Sequence, residues 1–547
     1  MKASDLFLRC LEERGVKYMY GVPGEENADI MISLLNSSIE FIICNHEQSA
    51  AFMADMYGRL TGSPGICLST LGPGATNLAT GVVSAQLDHS PLIAIIGQAA
   101  TTRLHKESHQ NVHAIPMYQP VTKWATSIRD QNVIPEVLEK AFKVAITSKP
   151  GAVVVELPEN IAKEDTDAKP IYHPVNKFER GVESHHVEMA LELIENAQAP
   201  LLLVGSGAVR ESCNKELKEF MDKTGIYGAV TFMGKGAISA RHPKSLYCVG
   251  LGMKDIALKT FDESDLVIAI GYDMVEWHPD RWNSGCQKKI IHIDTLPAEV
   301  DKNYLPEIEL VGEITGILRQ INSKLTNKQK KDESKFAKIR DEITADLEKH
   351  SDDDSFPMKP QRILSDLRKE MRDDDILISD VGAHKMWVAR QYPTYKPNTC
   401  FISNGFCSMG IAMPSAFTAK QLYPEKRIVA LCGDGGFIMS IQALATAGRY
   451  KMPFTVLVWE DHQYGLIEWK QEMEFGKHSH IDLNGADLVK VAEGFSCKAV
   501  RLTAVEEFVP ELKKAFAEKH CPSVIVIPVD YSENLKLTKR LGELLSH

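Results

Sequence analysis

Basic residues are in the minority in this 547-residue chain: 62 Lys and Arg stand against 73 Asp and Glu, a formal net charge of −11. Nucleic-acid binding needs clustered Lys and Arg to meet phosphates, and with no basic block no nucleic-acid partner is expected. Long apolar runs are missing too. No stretch reaches the roughly 18 consecutive apolar residues that mark a membrane span, so no membrane partner is expected either. Met1 to Gly15 reads as an amphipathic helix, with Lys2, Asp5, Arg9, Glu12, Glu13 and Arg14 interrupting it, and lacks the apolar core of a signal peptide. Paired cysteines are also absent. The 11 Cys are odd in number and scattered, with no CxxC, and the nearest two, Cys400 and Cys407, lie seven apart. That excludes a disulfide framework and a zinc site. Cys44, Cys67 and Cys432 sit inside apolar runs and read as small core residues. A reducing, cytoplasmic setting is expected. Low-complexity tracts and short tandem repeats do not occur.

What is present is ordinary globular material, 44% hydrophobic and 25% charged. At roughly 150 residues per domain the length suggests three or four domains. The pattern divides the chain into residues 1–185, 186–322 and 361–547, with a charged linker at 323–360. In the first unit Tyr18–Val22, Phe41–Cys44, Gly65–Thr70, Leu92–Ile96 and Ala152–Leu157 read as strands, many separated by Gly- or Pro-containing turns and helical stretches. Leu201–Val204, Leu266–Ile270 and Lys289–Ile293 do so in the second unit. Ile376–Ser379, Ile428–Leu431, Phe454–Trp459 and Ser523–Val529 do so in the third. Strands alternating with helices predict an α/β protein of three doubly wound domains with parallel sheets. The linker's Lys/Glu spacing predicts a solvated helix.

The strongest local chemistry lies in the third unit. An apolar strand ends in Gly433-Asp434-Gly435-Gly436. A helical stretch follows, then a second apolar strand ending in Glu460-Asp461, with 25 residues between Gly435 and Asp461. Doubly wound sheets bind ligands at the carboxyl ends of their strands. If these two strands are neighbours, Asp434 and Asp461 meet at one edge. Two carboxylates, a backbone carbonyl and phosphate oxygens suit Mg²⁺, a hard cation, and the glycines let backbone amides approach a phosphate. An Asp after a strand is often only a helix cap, but the spacing of the pair argues for more.

This spacing resembles the diphosphate-binding motif of thiamine-diphosphate enzymes, with Asp461 where an Asn is usual. The resemblance makes Asp434 and Asp461 side-chain metal ligands and the Gln463 carbonyl a third protein ligand. Gly433, Gly435, Gly436 and Tyr464 fall on the cofactor side. In the first unit, His46, Glu47, Ala50, Ala54, Arg59 and Gly62 match the family's HE-containing segment in register. Glu47 is then the family's acid. A carboxyl in an apolar cleft can share a proton with a ring nitrogen, here N1′ of the aminopyrimidine. Gly24 belongs to the first strand-end turn, and Asn77, in Leu71–Asn77, approaches the pyrimidine. In Ser403–Gly410, Met409 is the apolar wedge that bends the cofactor and the Cys407 carbonyl accepts from its 4′-amino group. His384 is the donor of a diphosphate-contacting turn.

The resemblance covers essentially the whole chain and is nearest to acetolactate synthases of the catabolic type. Leu104 to Trp124, with His109 and Gln110, is similar to that group's active-site loop, and so is the run Tyr272–Trp277. Residues Glu25-Glu26, His462-Gln463 and Tyr464–Trp469 depart from the pattern. Thiamine diphosphate and Mg²⁺ are the implied cofactors. Flavin is not expected, because Val204-Gly205-Ser206-Gly207 lacks the third Gly of a dinucleotide fingerprint. The implied substrates are small 2-oxo acids. The implied reaction is decarboxylation of pyruvate and ligation to a second 2-oxo acid, giving 2-acetolactate. The alternative is a 2-oxo acid decarboxylase releasing an aldehyde. Decarboxylases of the pyruvate type carry an adjacent His pair and an acid after the metal loop. Neither is expected here: no adjacent His pair is read in the chain, and Ile467, preceded by Leu466, stands six residues after Asp461, though Glu468, one residue further on, restores an acid if the register slips. The family's cofactor lies between subunits, which implies a homodimer or homotetramer.

Overall fold

The computed structural model describes residues 1–172, 181–250, 256–325, 334–483 and 485–534. Among these residues the chain builds three six-stranded sheets, every recorded pairing parallel. The first contains β1 (Tyr18–Gly21), β2 (Glu40–Ile43), β3 (Gly65–Ser69), β4 (Leu92–Gln98), β5 (Trp124–Ser127) and β6 (Ala152–Pro158), in the order β2-β1-β3-β4-β6-β5. The second contains β7 (Pro200–Val204), β8 (Tyr227–Val230), β9 (Ser245–Cys248), β10 (Leu266–Ile270), β11 (Lys289–Asp294) and β12 (Ile308–Val311), in the order β12-β11-β10-β7-β8-β9. The third contains β13 (Ile376–Ser379), β14 (Cys400–Ile402), β15 (Ile428–Gly433), β16 (Thr455–Glu460), β17 (Lys498–Arg501) and β18 (Ser523–Pro528), in the order β14-β13-β15-β16-β18-β17.

The first and third orders are the same permutation. The middle one is the dinucleotide-fold order. Parallel sheets are covered on both faces, so their inner strands are apolar throughout: β4, β6, β10 and β16 are buried along their whole length. Switch points fall between β1 and β3, between β7 and β10, and between β13 and β15. Ligand crevices open there, beyond the strands' carboxyl ends.

The first and third units pack on each other. One apolar cluster takes in Ala50, Ala51 and Ala54 of the helix Glu47–Thr61 and Ala412, Ala416 and Ala419 of the helix Ala412–Leu422. Small side chains let these helices approach closely, and Thr418 Oγ1 donates to Met53 O at 3.1 Å. Tyr450 Oη accepts from Ile43 N at 2.8 Å, at the end of β2 and just before Glu47.

The charged stretch after residue 322 is not the solvated spacer its composition suggests. Its helix, Ser334–Glu348, buries Phe336, Ile339 and Ile343 against the middle unit's core, with the Phe336 ring edge-on to Tyr227. Three apolar residues on one helical face suffice for docking, and the surrounding charges hid them. No helix among the described residues is long and apolar enough to cross a membrane.

A buried ionic cluster joins the units. Arg59 donates to Asp55 through two nitrogens, each at 2.8 Å, and to Asp88 at 2.6 Å. The other oxygen of Asp88 accepts from the amides of Gly405 (2.7 Å) and Phe406 (3.4 Å) in the third unit. Both carboxylates are fully shielded from water. Arg59→Met strands two buried negative charges and is expected to cost roughly 3–5 kcal/mol. Urea unfolding followed by circular dichroism checks this, and an unchanged midpoint would refute it.

Candidate active site

At the carboxyl edge of the third sheet, β15 and β16 are hydrogen-bonded neighbours, with Gly433 opposite Trp459. Asp434 and Asp461 follow those strands directly and so meet. The Asp434 carboxylate accepts from its neighbour Gly435 N (2.8 Å) and from His462 N (2.7 Å), while Asp461 accepts from Gln463 N (3.3 Å). Burial, and then the charge of Asp434, pushes the Asp461 carboxyl up to about 7. Burial raises Asp434 as well. Two partly desolvated acids that repel each other across one edge are what a cation would relieve. No group of three His, Cys, Asp or Glu suited to a metal occurs among the described residues. Any further ligands would therefore come from backbone and bound phosphate.

The loop after Asp461 is held from outside. Tyr464 N donates to Ile481 O and Leu483 N to His462 O, at 2.9 and 2.8 Å. Around Gly435 the walls are close: a Cβ there would lie 3.1 Å from both Leu483 and Tyr464 and 3.3 Å from Met409. His384, after β13, lines the same edge, its ring 3.4 Å from where a Cβ on Gly433 would sit. The His384 Nε2 is buried with no hydrogen-bond partner. Burial pushes this ring down to about 3, so it stays neutral at pH 7. Nε2 is the nitrogen left without a partner, and the Nδ1 and Cε1 edge of the ring faces the glycine cradle, where an incoming diphosphate would pass. Asp380 organises the wall behind it. Its carboxylate accepts from Val381 N, Gly410 N and Ala412 N, fixing the segment that carries Met409 and Cys407, and lies 3.1 Å from where a Cβ on Gly436 would sit. Burial raises Asp380 to about 6.

The first sheet presents the other group. His46 caps the helix Glu47–Thr61 by accepting from Gln48 N, which leaves Glu47 at the start of that helix, buried. Asn77 Nδ2, from the helix Pro73–Leu87, donates to Glu47 Oε2 at 3.0 Å. Gly24 lies across from Thr70, whose hydroxyl donates to Glu26. The loop carrying His109 and Gln110 folds back so that the Gln110 carbonyl abuts Gly72, while both side chains stay exposed. The structure thus gathers Glu47, Asn77, Gly24 and the backbone of Gln110 into one group. It gathers Asp434, Asp461, Gln463, Tyr464, Met409, His384 and the glycines into another. No hydrogen bond or ion pair recorded among the described residues joins the two.

Two sequence expectations change. An adjacent histidine pair does exist, His185–His186, but both residues are exposed in the first turn of the helix Ser184–Asn196, at the head of the middle unit. Trp469, whose bulk could equally shape the acceptor pocket or pack, is buried edge-on to Tyr531. Leu483 and Tyr531 line or support this edge and carried no motif; only the fold brings them there. Asp380 opens the turn that ends in His384, but its role in holding the segment with Met409 shows only in the fold. At the middle unit's switch point the Gly205–Gly207 turn is closed by the chain itself. Ser206 N donates to Glu276 Oε1 (3.0 Å), whose other oxygen takes Thr231 Oγ1 and Met233 N. A cavity of about 720 Å³ lies nearby, between the three units, lined by Arg59, Asp88, His89, Arg210 and Phe401 among others. Its arginines are paired internally, Arg59 as above and Arg210 with Asp273.

Models of thiamine pyrophosphate enzymes match the chain in order: the N-terminal TPP binding domain over residues 1–117, the central domain over 187–321 and the C-terminal TPP binding domain over 380–527. Fold and matches together define a thiamine-diphosphate enzyme. Acetolactate synthase of Bacillus subtilis is 31% identical, over 100% of this chain and 97% of its own. A probable acetolactate synthase large subunit of Methanocaldococcus jannaschii is 32% identical over 100% and 94%. The catabolic acetolactate synthase of Raoultella terrigena is 30% identical over 98% and 97%. The chain belongs to the thiamine-diphosphate-dependent acetolactate synthase family.

Gly435→Ala narrows the cradle between Leu483, Tyr464 and Met409. It is expected to weaken thiamine-diphosphate affinity on the order of tenfold, about 1.4 kcal/mol, with the circular dichroism spectrum unchanged. Titration by intrinsic fluorescence decides; wild-type affinity would mean that this strand end does not face the cofactor.

Proposed function

We infer that the protein decarboxylates pyruvate and joins the remaining two-carbon unit to a second 2-oxo acid, giving 2-acetolactate, with thiamine diphosphate and Mg²⁺ as cofactors. The observation that carries the reading is the meeting of Asp434 and Asp461 on neighbouring strand ends, close enough for the charge of one to add to burial in raising the other. The names of the similar proteins agree with it. When bound, thiamine diphosphate supplies a thiazolium carbon that adds to the oxo carbon and holds the electron pair left as CO₂ departs.

The chain's own residues divide the remaining work. Asp434, Asp461 and the Gln463 carbonyl hold the cation. Gly433, Gly435 and Gly436 admit the diphosphate, with His384 donating to it, and Tyr464 closes the outer wall. Met409 imposes the bend that brings the two rings together, a proximity effect, and the Cys407 carbonyl receives the 4′-amino group. Glu47 holds and moves the proton at N1′, oriented by Asn77. Gly24 shapes the pyrimidine side, and His109 and Gln110 reach toward the second oxo acid. By spacing, Ile467, apolar and exposed at the start of the helix Gly465–Phe475, takes the position of the acid that would protonate the two-carbon unit. Glu468, one residue further on, is the acid that a slip of register would put in its place, and its charge adds to burial and Asp434 in raising Asp461. An apolar side chain at that position favours ligation over aldehyde release. The Glu276 carboxylate on the Gly205–Gly207 turn occupies a place where a dinucleotide phosphate would sit, which supports a flavin-free reading.

Since the two groups of site residues share no recorded hydrogen bond, the reading places the first unit of one copy against the third unit of another, in a homodimer or homotetramer. Ile438 and Met439, apolar and exposed on the helix Asp434–Met439, suit such cover. Eleven free cysteines suit a reducing cytoplasm.

Protein supplied with pyruvate, thiamine diphosphate and Mg²⁺ is expected to consume two pyruvates per CO₂ and to yield acetoin after acid treatment. Glu47→Gln should lower turnover at least a hundredfold, within the range of general acid–base contributions. Stoichiometric acetaldehyde would overturn ligation in favour of decarboxylase activity. With the Asp461 carboxyl at about 7, a proton competes with the cation below that pH. Mg²⁺ affinity should therefore fall as pH drops from 7 to 5.5 and level off above 8, with proton release on binding largest near pH 6. Calorimetry in buffers of different ionisation enthalpy reads both, and a pH-independent affinity would contradict the assignment of Asp461.

A further inference from the structure

Cys407 is set apart from the other thiols. Eight of the 11 cysteines are buried, and burial pushes Cys10, Cys44, Cys213 and Cys497 up to about 12. Cys407 and Cys521 are partly exposed, but burial and the charge of Glu518 raise the Cys521 thiol. The Cys407 backbone is left-handed, φ 58°, but so is that of Cys286, φ 53°, and what separates these two thiols is a lysine. Lys385, itself buried, reaches Cys407 from the helix Ala383–Gln391: its Nζ lies 3.3 Å from Cys407 Sγ, 3.0 Å from Asn404 Oδ1 and 3.4 Å from Ser403 O. The lysine is thereby held in place and aimed at the sulfur. Cys286 makes the contrast, being exposed in a turn outside any helix or strand.

We propose that Cys407, with Lys385 beside it, is an oxidant-reactive modification site for hydroperoxides, set in the wall of the cofactor site. Sγ attacks one peroxide oxygen and the O–O bond breaks. The thiol is oxidised by two electrons to a sulfenic acid, and the departing oxygen, hydroxide from hydrogen peroxide or alkoxide from an organic hydroperoxide, takes up the thiol proton and leaves as water or alcohol. The nearby ammonium stabilises negative charge developing on sulfur and on the leaving oxygen. The added oxygen lies on the segment 403–410 that carries Met409 and the Cys407 carbonyl, so oxidation and cofactor occupancy exclude each other. This last clause rests on the function proposed above; the reactivity itself does not.

The test uses the full-length chain, hydrogen peroxide with a sulfenic-acid trap, and peptide mass spectrometry of all 11 cysteines. Without cofactor, Cys407 should be trapped on the order of tenfold faster than Cys286. Lys385→Met should bring it down to the Cys286 rate, and Lys385→Arg should restore it, while the buried cysteines stay unlabelled as a control for folding. A Cys407 rate at or below that of Cys286, or one unaffected by Lys385→Met, overturns the proposal. If Lys385→Met exposes the buried thiols, the wild-type comparison with Cys286 decides alone. Thiamine diphosphate with Mg²⁺ should slow trapping at Cys407 and leave Cys286 unchanged. Fast trapping without such protection upholds the reactive thiol and overturns only the placement of this segment against the cofactor.

Discussion

The carboxylate of Asp88 faces two ways. One oxygen accepts from Arg59, on the helix that begins with Glu47; the other accepts from the amides of Gly405 and Phe406, at the head of the segment that carries Cys407 and Met409. Asp88 also closes the helix that carries Asn77. One shielded acid therefore fixes the spacing between three pieces of candidate machinery drawn from two units. The contact is tight as well as polar, since a Cβ on Gly405 would fall 2.3 Å from Leu87 O. Asn404 extends the tie to the middle unit, donating to Glu276 O and receiving from Lys385. The segment 403–410 is thus clamped by all three units, and its shape is a property of the whole chain.

Inner strands of a parallel sheet must be apolar along their length, and they read plainly from sequence. β4, β6, β10, β15, β16 and β18 all announced themselves, together with the Asp434 and Asp461 that end two of them. The strands that escaped notice were mostly at sheet edges: β5, β9, β12, β14 and β17, with β8 beside an edge. They are short, and β5 and β17 are only half buried, so no apolar run marks them. The charged segment after residue 322 misled for a related reason: composition averages over a helix, whereas docking needs only Phe336, Ile339 and Ile343. At the site, motif residues were legible because backbone geometry constrains them locally. Leu483 and Tyr531 were not, and Asp380 was legible only as the start of the turn ending in His384, because their contacts join segments far apart in the chain.

The net charge of −11 sits uneasily with anionic substrates and a diphosphate. Locally the difficulty is sharper, since the third sheet adds two repelling carboxylates at the edge where the phosphates would lie. A divalent cation would resolve both conflicts at once, neutralising Asp434 and Asp461 while giving the diphosphate a positive neighbour. Cation and cofactor would then be thermodynamically linked, each making the other's site tolerable, and a neutral His384 would add direction rather than charge.

The two outer sheets use one strand order twice. A cofactor suspended between them would meet the same crevice on both sides, the gap between the first strand and the third. The backbone alone could not tell one end of such a molecule from the other. Orientation would then be written entirely in side chains: an acid and an amide in one crevice, a carboxylate pair and glycines in the other. Two like frames with unlike furnishings make direction in this site a matter of a handful of residues, and direction is therefore far easier for substitution to change than the fold that holds it.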